Sequence, residues 1–113
     1  MGFPLVEQAR EQRKQEREKL RKKTVDETIS LLETLREEIP FEQAYLFGSV
    51  ARPYHFKKDS DVDIAFEGLD ERDTEKLTAK LSLNLERPVN VVHLQEVHFS
   101  DKIQREGIQW KNQ

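Results

Sequence analysis

Apolar positions are scarce in the first twenty residues and then turn periodic. From about Leu5 to Glu38 there is no glycine or proline. Such a run of good helix formers predicts one long helix, or two with a weak joint near Thr24. Pro4 suits a first helical turn and Pro40 forces a stop nearby. A continuous helix of roughly 34 residues would reach about 50 Å at ~1.5 Å per residue. Only its second half is amphipathic: Leu20, Val25, Ile29, Leu32, Leu35 and Ile39 fall on one stripe, which predicts packing on a sheet. The first half, with Ala9 between long polar gaps, should project, fray or lie on a partner.

Beyond Pro40 the pattern changes to short apolar runs broken by turn residues. Gln43–Phe47 reads as a first strand that stops abruptly at Gly48-Ser49. Arg52 to Ser60 is a basic, turn-rich loop with Pro53, His55, Lys57 and Lys58, and Asp61–Phe66 is a second strand closed by Gly68. Glu71–Leu85 predicts a helix with Leu77, Leu81 and Leu85 on one face. The β-branched run Val89-Asn90-Val91-Val92-His93-Leu94 after Pro88 predicts a third strand. Ser100 to about Lys111 predicts a last helix, opened by Ser100-Asp101 and weakened at Gly107, with Ile103, Ile108 and Trp110 packing it. The chain divides into a long charged helix, residues 1–39, and an α/β unit, residues 40–113.

Composition narrows the class. With 113 residues, 35% of them apolar and 36% charged, the chain has room for one domain with a modest core. The absence of cysteine removes disulfide frameworks and thiolate metal sites. No apolar run approaches the roughly 18 residues of a membrane span, and the N-terminus is too charged for a signal peptide, so the expectation is a cytoplasmic protein. The net charge of −3 hides an asymmetry: Arg10–Lys23 holds eight basic and three acidic residues. A basic arm on an acidic body suggests an acidic partner, protein or nucleic acid. The plainer reading is a solvated helix laced with pairs such as Glu18–Lys22. The arm lacks aromatics for base stacking, and its glutamates would repel phosphate, so direct nucleic-acid binding is not expected.

The chemistry concentrates between Tyr45 and Phe66. Side chains at i and i+2 of a strand point the same way, so Asp61 and Asp63 share a side while Val62 and Ile64 face a core. Two carboxylates that close call for a cation between them, and magnesium carrying nucleotide phosphates fits. Gly48 permits close backbone approach, Ser49 can donate from hydroxyl and amide, and a helix starting there would add an anion site. Arg52, ahead of Lys57 and Lys58, can reach a triphosphate. The plainer alternatives are an edge strand kept soluble by its aspartates and an Arg52 paired with Asp59 or Asp61.

A strand, Gly-Ser-x-x-Arg, about ten residues, then Ser-Asp-x-Asp resembles the minimal nucleotidyltransferase (MNT) domain of the DNA polymerase β-like superfamily. Gly48, Ser49, Arg52, Ser60, Asp61 and Asp63 are the matching residues. The resemblance implies a small nucleotidyltransferase fold, with a three-to-four-stranded mixed sheet flanked by helices and the long N-terminal helix added. It implies Asp61 and Asp63 as catalytic metal ligands for two magnesium ions, Gly48, Ser49, Arg52 and Ser60 as nucleotide- and phosphate-binding residues, and ATP as donor. Proteins of this kind are commonly antitoxins paired with a small helical HEPN ribonuclease, which they neutralise by adenylylating a tyrosine. The partner implied is therefore a HEPN toxin in a hetero-oligomeric complex. The alternative is an inactive relative that neutralises its toxin by binding alone.

One position departs from the family pattern. A third carboxylate belongs on the next core strand, and Asn90 stands there. Asparagine can offer a carbonyl to a metal but cannot accept the proton of an attacking hydroxyl. Either transfer is weakened or lost, or Glu67, Asp70 or Glu96 substitutes, or the acceptor brings its own activating group. Among the histidines, His55 sits in the loop between the motif halves, His93 reads as a packed strand residue and His98 precedes the last helix; none has metal-ligand spacing.

Overall fold

The computed structural model describes residues 4–110. A single helix, α1 (Leu5–Leu35), leads into β1 (Gln43–Phe47), a 3-10 turn (Gly48–Ala51), β2 (Val62–Glu67), α2 (Thr74–Leu85), β3 (Val89–His93), α3 (Ser100–Glu106) and β4 (Ile108–Trp110). The strands form one mixed sheet in the order β3-β2-β1-β4. β1 pairs antiparallel with β2 and with β4, while β2 and β3 run parallel across the α2 crossover.

α1 has no joint at Thr24. The Thr24 hydroxyl donates to the Leu20 carbonyl (2.8 Å) and the Thr28 hydroxyl to the Thr24 carbonyl (2.7 Å), so both side chains bury without an orphaned donor. They are more buried than Leu20, Val25 and Ile29 of the apolar stripe. The helix stops at Leu35, three residues before Glu38, because the chain turns to sink Ile39 and Phe41 into the core. The Arg36 Nε donates to the Phe41 carbonyl (2.9 Å) and fastens that corner. The early turns are exposed apart from a half-buried Ala9, and α1 stretches the molecule to 59 × 28 × 24 Å.

The C-terminal expectation needs correction. The helix predicted for Ser100 to about Lys111 ends at Glu106, and Ile108–Trp110 is a fourth strand on the free edge of β1. Gly107 explains the switch. A Cβ there would sit 2.6 Å from the Ile103 carbonyl oxygen and 2.8 Å from that of Leu46, so only glycine lets the chain leave α3 this close to β1. Trp110 therefore packs in the sheet core against Phe41, ring centroids 5.1 Å apart, and not on a terminal helix. Lys111 lies outside the described residues.

Alternation along the strands gives the sheet two unequal faces. Ala44, Leu46, Val62, Ile64 and Phe66 join Leu32, Leu35, Phe56, Leu77 and Leu81 in the main core beneath α1 and α2. The other face buries a smaller group, Tyr45, Ala65, Leu94 and Ile103, under α3. That cover leaves one end of the face open, and there β2 begins with its acidic residues.

Candidate functional site

Asp63 lies in β2 opposite Phe47 of β1 and level with Asn90 of β3. Asp61 immediately precedes the strand, exposed where Asp63 is half-buried. The Asn90 side-chain amide donates to Asp63 Oδ1 (2.8 Å) and to Asp61 Oδ2 (3.3 Å). The two carboxylates thus converge on one point, and the group there now is the partially positive end of an amide. A cation placed near it would have oxygen donors on either side.

The Gly-Ser bend closes against this pair. Gly48 has φ +72°, a left-handed conformation that glycine adopts without strain. The space a Cβ would take at Gly48 is filled by the Asp63 carboxylate. Both facts demand glycine, and the second places the bend in contact with the acid pair. The helix expected to start at Ser49 is a single 3-10 turn, Gly48–Ala51, with the Arg52 amide donating to the Ser49 carbonyl (3.2 Å). So short a turn has little macrodipole, and an anion here would rely on the Ser49 hydroxyl, local amides and Arg52. Arg52 is exposed and makes no ion pair with Asp59 or Asp61.

Ser60 sits in the turn leading to Asp61. Its hydroxyl accepts from the Lys57 amide (2.9 Å), and its carbonyl accepts from Arg87 Nη1 (2.7 Å). Arg87 also covers the ring of Phe56, 4.6 Å from its centroid, and Phe56 is fully buried. The basic loop is therefore anchored by an aromatic residue that its polar composition concealed. Lys57, Lys58 and His55 are exposed.

The three acids considered as substitutes for the missing carboxylate are displaced or engaged elsewhere. Glu67 is the last residue of β2, at the opposite end of the strand from Asp61 and Asp63, its backbone in register with Gln43. Asp70 caps the turn before α2 and is held by Arg72 (2.8 Å), whose guanidinium and amide pull its carboxyl down to about 2. Glu96 faces Glu71, and that hydrogen bond raises its pKa. Among the described residues no group of three or more His, Cys, Asp or Glu side chains could hold a metal. The two aspartates still suit magnesium, a hard cation that commonly takes one or two carboxylates and completes its shell with water and substrate phosphates. Asn90 adds a carbonyl to that set only if its amide turns over.

Beside the bend lies a cavity of about 260 Å³ lined by Phe47, Gly48, Arg52, Phe99, Lys102 and Ile103, among others. Its walls are mostly apolar, with Arg52, Lys102 and Glu106 as the charged lining residues, and Phe99 tilts toward Phe47 with centroids 6.1 Å apart. Phe99 and Lys102 were not legible as site residues, because the fold of α3 back over β1 brings them there. His93 is buried, its Nε2 2.8 Å from the Thr74 hydroxyl, as a packed strand histidine should be.

A family model described as polymerase β nucleotidyltransferase matches residues 15–112. The chain belongs to this nucleotidyltransferase family. The α/β architecture with its four-stranded mixed sheet is the minimal nucleotidyltransferase fold, and solved structures carry the same likeness. One described as a minimal nucleotidyltransferase shares 25% identity at TM-score 0.64, covering 76% of this chain and 92% of that one. A toxin–antitoxin crystal structure with AMP-PNP shares 28% identity at TM-score 0.61, over 74% and 71% of the two chains. A tri-AMPylated Shewanella oneidensis HEPN toxin in complex with MNT antitoxin gives 25% identity at TM-score 0.58, over 80% and 73%. No curated protein sequence matches the chain. No helix among the described residues is long and apolar enough to cross a membrane.

Proposed function

We propose that this nucleotidyltransferase is an antitoxin that transfers AMP from ATP to a tyrosine hydroxyl of a partner HEPN ribonuclease, within a hetero-oligomeric complex in the cytoplasm. The observation that carries the reading is the convergence of Asp61 and Asp63 on one point in contact with the Gly48-Ser49 bend. The antitoxin complexes among its structural neighbours, one of them with a tri-AMPylated toxin, support the choice of acceptor.

Magnesium, held by Asp61 and Asp63, would neutralise the triphosphate and the departing pyrophosphate. The bend accepts the phosphates where a side chain would block them, with Ser49 donating and Arg52 supplying a charge-assisted contact. The acceptor oxygen attacks the α-phosphorus, the bond to the bridging oxygen breaks, and pyrophosphate leaves. The hydroxyl proton goes to Asp61, Asp63, water or a group the acceptor itself brings, since Asn90 cannot accept it. Transfer should therefore be slower than with three carboxylates.

Asn90 also favours a second reading, neutralisation by binding alone. The two part on one experiment: the chain is incubated with labelled ATP, magnesium and the protein encoded beside it, and the partner is weighed. AMP on the partner, absent with Asp61→Ala/Asp63→Ala, supports transfer. A stable complex with an unmodified partner supports the binding role.

A further inference from the structure

α1 is tied to the loop after Gly48 by a largely buried ion pair that lies outside the motif. Glu18 is 9% exposed, an unusual place for a carboxylate on a helix whose preceding turns are open to solvent. It does not pair with Lys22 at i+4, as helix spacing suggested. Arg21 grips it with two prongs, Nε to Oε1 and Nη2 to Oε2, each 2.7 Å. Such a forked contact outcompetes a lysine's single point of charge. Both partners then reach the loop. Glu18 Oε1 accepts from the Tyr54 amide (3.0 Å), and Arg21 Nη1 donates to the Val50 carbonyl (3.3 Å). Lys14, one turn earlier, lies 4.6 Å from the centre of the Tyr54 ring.

These contacts fall at Val50, directly after Ser49, and at Tyr54, two residues past Arg52. Val50 belongs to the 3-10 turn, and Tyr54 holds a left-handed conformation, φ +69°, that a tyrosine adopts only against a penalty. Around Arg52 the backbone makes sequential turns, Arg52 amide to Ser49 carbonyl and His55 amide to Arg52 carbonyl. Val50, fully buried in the core, holds the near end of the loop, and α1 ties its far end at Tyr54.

We infer that Glu18 and Arg21 are positioning residues for nucleotide binding: the ion pair on α1 holds Val50 and Tyr54 so that Ser49 and Arg52 face the triphosphate beside Asp61 and Asp63. The inference rests on the nucleotidyl-transfer reading. A merely structural anchor would lower stability and leave nucleotide affinity in step with it. A positioning pair raises the nucleotide KM more than it lowers kcat, and does so beyond what lost stability explains.

The test uses the full chain and its Glu18→Ala, Glu18→Gln and Arg21→Lys variants. It reads magnesium–AMP-PNP affinity by calorimetry, KM and kcat for AMP transfer to the partner, and Tyr54 amide exchange by NMR. Glu18→Ala should weaken affinity on the order of tenfold, as losing a charge-assisted hydrogen bond does, and should speed Tyr54 exchange. Glu18→Gln keeps an oxygen for the Tyr54 amide and should recover part of the affinity. Thr28→Ala, on the same helix away from the loop, serves as the stability control and should bind as wild type. If Glu18→Ala does not fold, Arg21→Lys, which keeps the charge but loses the fork, must show the same affinity loss. Folded Glu18 and Arg21 variants with wild-type affinity, or a loss matched by Thr28→Ala, overturn the positioning role alone. A wild-type chain that binds no magnesium nucleotide overturns the functional reading and the positioning role with it.

Discussion

Replacing Asn90 with aspartate converts the one neutral member of the acidic cluster into a third carboxylate. In the native arrangement the Asn90 amide donates to Asp63 at 2.8 Å and to Asp61 at 3.3 Å. The variant loses both hydrogen bonds and substitutes two like-charge contacts. Unit charges about 4 Å apart repel by ~1 kcal/mol in water and ~4 kcal/mol at the effective dielectric of a protein surface. Asp61 and Asn90 are exposed, so the lower figure governs Asp61 and an intermediate one the half-buried Asp63. Together with the lost hydrogen bonds, Asn90→Asp should cost about 4–6 kcal/mol without metal, or a fall in Tm of roughly 15–30 °C for a domain of this size. Magnesium should reverse the sign, because a cation between three carboxylates turns repulsion into ligation. Thermal melts in chelator and in millimolar magnesium measure this directly. The Asn90→Asp deficit should shrink sharply with magnesium, and AMP transfer should rise. An equal deficit in both buffers would refute the claim that this cluster is a metal site.

Other consequences are equally specific. Gly48→Ala forces a side chain into a left-handed backbone and against the Asp63 carboxylate; a loss of about 1–3 kcal/mol by denaturant titration is expected, with nucleotide binding abolished in whatever folds. Phe56→Ala empties a fully buried site beneath the loop and should cost about 3–5 kcal/mol in chemical unfolding. Glu18 has its pKa lowered from 4.5 to about 2, chiefly by the Arg21 hydrogen bond. A carboxylate depressed on folding gives stability that is fully present above its unfolded pKa and lost as pH falls through the folded one. Acid melts of wild type should therefore steepen between pH 4.5 and 2, and those of Glu18→Gln should lack that component.

Much of the fold was readable because its signals are local. The strand runs at Tyr45 and Ile64, the leucine face of α2 and the β-branched run at Val89 each declare their period within a few residues. The acid pair and the bend were readable for the same reason, and the register of β1 on β2 then brings Asp63 to Phe47 and Gly48. What escaped depends on tertiary partners. Thr24 and Thr28 count as polar in any periodicity, yet bury because their hydroxyls find carbonyls one turn back. Glu18 looked like a solvent-facing residue until Arg21 and Tyr54 enclosed it. Gly107 read as a weak point in a helix, when its bareness is what allows the chain to cross to the edge of β1. Phe99 and Lys102 reach the bend only through that crossing.

The intact mass of the co-encoded partner, after incubation with this chain, ATP and magnesium, tests the account most directly. The partner should gain mass in AMP units with the wild-type chain and none with Asp61→Ala/Asp63→Ala, although both chains bind it. A partner that forms the complex and keeps its original mass at every nucleotide and metal concentration would contradict AMP transfer by this site.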